Sequence, residues 1–434
     1  MNAISISNRD MIGLKNVQVL LIYTTALSLV LSIGTVYTHI RGFEKLDVIV
    51  TYLPVITLTI LLFTKQFYTR SVFYRTIQTA ICLLVYLSIF AVVSGSNLTK
   101  ALYQIVLLVV FLLYVLLFEN QGTPYLFIAY RNIITTIAGI SIVLWILGPV
   151  LELIPSYAVS ENWGLSGTGL YRTIKGYFGL QFAREETYIF GRLIISNRSI
   201  FVERAFAAYS FALGWIYELF IEKNKSRKRI IVLSVAILTT FSMTGLILLI
   251  IISMMRYIFT GRNQVIVKLL KIAFIPVAVV VVISSIQYLL NEKMSMGHSA
   301  VSRMADLNNG IAAWLNRPLT GYGFGNGAKI QRLFSTGYSN SITSVLCQGG
   351  IMLMSLFVIC FAKGIYAGIK NKNMNYVIFT ISFLLFFAST VIAFRNITVY
   401  VLLFSCFSLL KVPSNNYEEV AYGKRNCISN NTNL

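Results

Sequence analysis

The sequence predicts an all-α polytopic membrane protein with about twelve transmembrane helices, and two observations support this. Of its 434 residues, 57% are hydrophobic and only 12% are charged, whereas soluble domains carry about twice that charged fraction. Apolar runs of about 20 residues, long enough for a helix to cross the hydrocarbon core, recur along the chain. A β-barrel is disfavoured because barrel strands alternate apolar and polar residues over about ten positions, and these runs are apolar throughout.

The apolar runs predict helices at 16–36, 47–64, 77–95, 100–118, 131–150, 200–221, 229–242, 245–259, 269–290, 341–363, 375–393 and 397–411. The run 229–259 is too long for one helix across a core about 30 Å thick, so we place a tight break at 241–245. The predicted organisation is therefore helices 1–5 in 1–150, a large external loop in 151–199, helices 6–9 in 200–290, a second large external loop in 291–340, helices 10–12 in 341–411 and a tail in 412–434.

Basic residues predict the orientation of the chain. Short loops rich in Lys and Arg stay on the cytoplasmic side, and KNKSRKR (223–229) contrasts with SMTG (242–245). Both termini are then cytoplasmic, and both large loops face outward. The net charge of +21 is explained by this topology, and no nucleic-acid partner is predicted.

The predicted helices hold almost no ionisable residue in their middles. Ion-coupled carriers need buried carboxylates, His or Lys along a pathway, so the sequence disfavours a proton-coupled transporter. Only three Asp residues are present, at positions 10, 47 and 306, and no DxD or CxxC motif occurs. We therefore predict that any reaction here uses neither a metal ion nor a cofactor.

The first external loop ends in a series of arginines. Arg192, Arg198 and Arg204 recur every six residues, with Glu203 beside the last. Arginine presents a planar fork of donors that suits phosphate and carboxylate groups, so the series is compatible with a pyrophosphate site. The alternative is that these side chains extend to lipid headgroups at the membrane surface.

The second external loop predicts an amphipathic helix on the membrane surface, because apolar residues recur at helical spacing in 300–316. Arg303 and Asp306 are spaced to pair on its surface, and Pro318 ends it. RPLTGYGFGNG (317–327) follows, with glycine at every second position from Gly321. The spacing differs from that of a dinucleotide-binding motif. Glycine permits close approach of a bulky ligand, and a plain interfacial loop is the alternative.

These pieces together resemble the O-antigen polymerase and ligase group of bacterial envelope proteins. The resemblance lies in SNRSIFVERA (196–205), LTTFSMTGLI (238–247), RPLTGYGFGN (317–326) and SNSITSVLCQGG (339–350), and in their order. Ligases of the group carry a His-(Asn/Ser/Gln) pair followed by Gly. Asn340 and Gly350 fit that pattern, whereas Ser339 occupies the histidine position. This departure favours a polymerase over a ligase.

The resemblance implies polymerisation of undecaprenyl-pyrophosphate-linked oligosaccharide repeat units, on the periplasmic face of the bacterial inner membrane. It implies this lipid-linked substrate as partner, with membrane lipids, a chain-length regulator and a flippase of the same pathway. We expect pyrophosphate binding by Arg192, Arg198, Arg204, Arg303 and Arg317. Glu203 is the first candidate for the base, followed by Asp306 and His298. Tyr322, Phe324 and Asn340 are expected to contact saccharide.

Two other functions stay open at this stage. An O-antigen ligase would transfer finished polymer to the lipid A-core. A lipid-linked oligosaccharide flippase would transport the substrate, but flippases usually have short loops and polar cavities. The two long external loops therefore favour an enzyme.

Overall fold

The computed structural model describes residues 14–40, 42–64, 70–119, 123–162, 171–183, 186–189, 192–259, 299–335, 338 and 340–407. The predicted helix at 269–290 and the predicted tail at 412–434 lie outside these residues. The same is true of His298 and Ser339.

Helices dominate the described residues, as the sequence predicted. They are α1 Asn16–Leu31, α2 Glu44–Phe63, α3 Arg70–Val93, α4 Leu98–Leu113, α5 Tyr125–Trp145, α6 Arg204–Ile216, α7 Arg227–Thr239, α8 Met243–Phe259, α9 Ser299–Asn316, α10 Gly327–Phe334, α11 Ser341–Lys370, α12 Met374–Ser389 and α13 Asn396–Phe407. Helices α4, α5 and α6 each continue into a π-helical turn, at Tyr114–Phe118, Ile146–Val150 and Tyr217–Ile221.

Five of the described helical segments are long and apolar enough to cross a membrane, and four shorter apolar helices accompany them. The chain is therefore a multi-pass helical membrane protein. The total of twelve spans and the positions of the termini stay predictions. The break in the long apolar run falls between Thr239 and Met243, where Phe241 adopts a φ of 47°.

The first large loop differs from the all-α expectation because it contains five short strands. Strands β1 Tyr157–Asn162, β2 Tyr171–Tyr177 and β3 Gln181–Ala183 form an antiparallel sheet in that order, and β4 Glu186–Ile189 pairs with β5 Arg192–Ile195. The middle of β2 alternates, with Thr173 and Lys175 exposed and Ile174 and Gly176 buried. Outside the hydrocarbon core the backbone is not restricted to helices. A segment whose exposed and buried residues alternate with a period of two can therefore form a sheet there.

Within the described residues, the long connections meet at one side of the helix bundle, which we call the loop face. The amide of Val36 donates to the carbonyl of Ile200 at 2.8 Å, and that of Asn197 to the carbonyl of Thr239 at 2.9 Å. The opposite face carries short connections and a buried ion cluster, in which Arg131 pairs with Glu218 and Glu222.

The glycine-rich segment 317–326, which we call the glycine loop, docks at the loop face between two backbone segments. On one side, the amides of Tyr322 and Gly323 donate to the carbonyls of Cys347 and Gln348 in α11, at 2.9 and 2.7 Å. On the other side, the amide of Asn97 donates to the carbonyl of Phe324 at 2.9 Å. The loop therefore joins the α3–α4 turn to α11.

Glycine is required in this contact because there is no space for a side chain. Helix α11 is interrupted at Gly350, whose φ is 56°, and a Cβ there would lie 2.4 Å from the carbonyl oxygen of Leu319. A Cβ on Gly323 would lie 2.7 Å from the backbone of Ser96. The predicted close approach is therefore made to the protein's own backbone.

Gly350→Ala is expected to destabilise the protein by at least about 2 kcal/mol, because alanine adds a left-handed backbone penalty and a clash with Leu319. The destabilisation is measured as a lower melting temperature of the purified protein in detergent. Loss of the monodisperse gel-filtration peak on heating reports the melting. Gly139→Ala is the control, since its Cβ would lie 3.9 Å from Val232. Equal melting temperatures for the two variants would contradict the tight contact.

Candidate active site at the loop face

Arg395, which the sequence analysis did not select, lies partly exposed just before α13. Its Nη1 donates to the carbonyl of Ser32 at 3.2 Å, and its Cζ lies 5.1 Å from the ring centroid of Phe206. Burial lowers the pKa of Arg395, while the nearby carboxylates of Asp47 and Glu203 raise it. A guanidinium stays protonated in proteins, so the loop face holds a fixed cation with two acidic neighbours.

Hydrogen bonds fix the start of α13 and hence Arg395. The Asn396 side chain accepts from the Tyr103 hydroxyl at 2.7 Å and donates to the carbonyl of Thr51 at 3.2 Å. These contacts tie α13 to α4 and α2. The Ser341 hydroxyl donates to the carbonyl of Thr390 and accepts from the amide of Ile392 at 2.8 Å, which ties the turn before α13 to the start of α11.

Glu203 and Arg204 begin α6 beside this position. The carbonyl of Glu203 accepts from the amides of Phe206 and Ala207, at 3.1 and 3.2 Å, so this residue caps the helix through its main chain. Both side chains are partly exposed, and the Glu203 carboxylate acts electrostatically on Arg395. The structure thus brings Glu203 close to Arg395, and Arg204 is the next residue in the chain after Glu203.

Arg198 occupies a different environment, because its side chain is completely buried. Its Nε donates to the carbonyl of Phe182 at 3.2 Å and its Nη1 to the carbonyl of Val202 at 2.7 Å. The carboxylate of Glu161, which is also fully buried, lies 3.5 Å away and accepts from Arg172 Nε at 3.0 Å. These contacts join the sheet to segment 196–202. The predicted pyrophosphate role of Arg198 stays a prediction, and the structure adds a positioning role.

The aromatic residues of the glycine loop are also buried. Phe324 packs against Phe90 and Phe394, with ring centroids 5.1 and 6.1 Å apart. Tyr322 is 5% exposed, and the exposed Arg317 places its Cζ 4.9 Å from that ring. In this structure the two rings hold the loop in place, and their predicted contact with saccharide is untested.

The remaining predicted residues are spread along the second loop and the sheet. Asn340 caps α11 by accepting from the amide of Thr343 at 2.9 Å. Asp306 is partly exposed on α9. The backbones of Arg192 and Arg303 lie in β5 and α9, and their side chains are outside the described part of the chain. Among the described residues, no group of three His, Cys, Asp or Glu side chains is arranged to hold a metal ion.

An apolar groove with a volume of about 190 Å³ begins beside this site and runs into the bundle. Helices α3, α4, α11 and α13 contribute its walls. Phe324 and Phe394 line it at the loop face, and Lys363 and Phe407 line its other end. Phe394 is the immediate neighbour of Arg395 in the chain, so a charged site and an apolar groove adjoin.

One comparison with known proteins found a match in the middle of the chain. Residues 230–358 match the family described as O-antigen ligase. The match includes the glycine loop and supports the O-antigen polymerase and ligase group indicated by the sequence. That family is one of enzymes of polysaccharide biosynthesis. Comparison with curated proteins and comparison with solved structures each found no match.

The sequence analysis overlooked Arg395 because it lies in a short connection between apolar helices. One signal was available. Within 374–407, which is otherwise free of charged residues, Arg395 is the single ionisable cation and stands directly before a new helix.

Glu161→Gln is expected to destabilise the protein by about 3 kcal/mol, because it leaves the buried Arg198 without its counter-charge. Faster tryptic cleavage in 157–203 and a lower melting temperature would show this. Glu152→Gln, an exposed position in the same loop, serves as the control. Wild-type cleavage rate and stability for Glu161→Gln would contradict the positioning role.

Proposed function

We propose that the protein polymerises oligosaccharide repeat units carried on undecaprenyl pyrophosphate, by metal-independent glycosyl transfer at the periplasmic side of the inner membrane. The observation that carries the proposal is the junction of the Arg395 site with the apolar groove. A lipid pyrophosphate has an anionic head and an apolar tail, and this junction is complementary to both.

The proposed reaction joins two lipid-linked substrates. A sugar hydroxyl of the incoming repeat unit attacks the anomeric carbon of the growing chain. A carbon–oxygen bond forms there, and the bond to the lipid pyrophosphate breaks with its electron pair leaving on the phosphate oxygen. The protein must therefore stabilise the developing negative charge and accept the proton of the attacking hydroxyl.

Arg395 and Arg204 are the proposed contacts for the leaving pyrophosphate, since both are partly exposed at the loop face. Arg192, Arg303 and Arg317 remain additional candidates. Arginine forks bind phosphate oxygens in bidentate fashion, which supports charge stabilisation without a metal. Arg198 would act indirectly, by holding segment 196–202 in position beneath this surface.

Glu203 is the proposed base, with Asp306 and His298 as the further candidates. Its support is proximity to Arg395, because a base must lie within reach of the hydroxyl at the reacting carbon. An ionised carboxylate is the state that accepts a proton.

The glycine loop and Asn340 are proposed to bound the saccharide site. The loop's backbone contacts with α11 and the α3–α4 turn support a rigid wall, on which Tyr322 and Phe324 serve as anchors. Asn340 lies at the start of α11, which Ser341 joins to the turn that precedes Arg395.

An O-antigen ligase is the second candidate, because the matched family carries that description. The choice of polymerase rests on Ser339, which stands where the ligases have histidine.

Surface glycan from a strain lacking the gene distinguishes the candidates on a gel. Core bearing a single repeat, without the ladder above it, identifies the polymerase. Bare core with long polymer on the carrier lipid identifies the ligase. If neither single-repeat core nor polymer is present, and lipid-linked units remain on the cytoplasmic leaflet, the protein is a flippase and the proposal is contradicted.

Complementation of that strain tests the residues. Arg395→Ala is expected to reduce long polymer about 100-fold, the effect of removing one donor to a developing anion, at normal protein level. Arg395→Lys should retain part of the activity because it keeps the charge. Lys329→Ala, an exposed cation on α10, should restore the full ladder. Full polymer length with Arg395→Ala would remove this residue from the mechanism.

A further inference from the structure

The inner end of the apolar groove contains a charge that the proposed reaction does not use. Lys363 lies in α11, 13 residues after the interruption at Gly350. At 1.5 Å per residue this is about 20 Å below the loop face. No carboxylate among the described residues forms an ion pair with Lys363. A lysine inside a membrane span is costly and marks a ligand or counter-ion site.

The immediate surroundings of Lys363 are apolar. Its Nζ lies 4.2 Å from the ring centroid of Phe407, and the neighbouring walls include Leu356, Ile359 and Leu403. An aromatic face compensates only part of the hydration that an ammonium group loses. The side chain is partly exposed towards the groove and its opening, so a ligand anion is able to reach it.

The nearby surface adds positive charge. Thr79 on α3 lines the same groove. Its hydroxyl donates to the carbonyl of Arg75 at 2.8 Å. Arg75 lies one helical turn closer to the opposite face. Arg75 is exposed. Basic side chains between membrane helices near the cytoplasmic side form sites for anionic lipid headgroups.

We propose that this end of the groove binds an anionic phospholipid from the leaflet at the opposite face, which is cytoplasmic in the predicted orientation. The phosphate would contact Lys363, near Arg75, and one acyl chain would fill the inner part of the groove, below the outer end at Phe324 that the proposed reaction assigns to the carrier lipid. At this inner end a phospholipid fits better than the carrier lipid. The proposed pyrophosphate site lies at the loop face, about 20 Å from Lys363. The inference goes beyond the proposed function, because it concerns the inner end of the groove and not the pyrophosphate site.

Native mass spectrometry of the delipidated full-length protein tests the proposal, with dioleoylphosphatidylglycerol as the anionic probe and dioleoylphosphatidylcholine as the matched neutral probe. We expect wild type to prefer phosphatidylglycerol. Lys363→Gln should weaken phosphatidylglycerol binding about fivefold, the effect of one basic residue at a lipid headgroup, and leave phosphatidylcholine binding unchanged. Lys363→Arg should retain the preference.

Two further variants separate the headgroup contact from the groove. Lys370→Gln removes an exposed charge from the end of the same helix and should bind like wild type. Leu356→Trp fills the groove and should weaken both probes. Equal phosphatidylglycerol affinity for wild type and Lys363→Gln overturns the proposal. The proposal is also overturned if undecaprenyl phosphate displaces phosphatidylglycerol and binds Lys363→Gln as tightly as wild type, since the inner end of the groove would then belong to the carrier lipid.

Discussion

The docking of the glycine loop against the interrupted helix α11 is the constraint on which the loop face depends. The backbone hydrogen bonds of Tyr322 and Gly323 to α11 require the two backbone segments to approach each other without intervening side chains. Gly350 and Gly323 provide that space, and Phe324 inserts between Phe90 and Phe394. The same contact closes the outer end of the apolar groove and positions it beside Arg395. The loop therefore links the membrane-embedded part of the site to its charged part.

Among the described residues, several buried charges form ion pairs with each other, whereas the charged groups around Arg395 are partly exposed. Arg198 and Glu161 neutralise each other inside the loop face, and Arg131 pairs with Glu218 at the opposite face. Breaking such pairs is costly because an uncompensated charge remains buried. The arginine at position 395, by contrast, has acidic neighbours and contact with solvent, an arrangement suited to an anion that arrives and leaves.

The sequence predicted the helical membrane class, the break near Phe241 and the amphipathic helix α9, because apolar length and helical spacing are local properties. It did not predict the strands of the first loop, whose alternation is short. The arginine series of period six is compatible with one pyrophosphate site or with side chains that extend to lipid headgroups. In the structure, burial separates Arg198 from Arg204, and a period of six carries no information about burial. Arg395 joins Glu203 through contacts between α6 and α13, which are distant in the sequence.

Binding of undecaprenyl pyrophosphate to the purified protein tests the central claim most directly. The dissociation constant of wild type is compared with that of Arg395→Ala, and undecaprenol, which lacks the phosphates, serves as the control ligand. The account predicts at least tenfold weaker pyrophosphate binding by the variant, the range of one charge-assisted contact, with undecaprenol unaffected. Equal affinity of both proteins for the pyrophosphate would contradict a head-group site at Arg395.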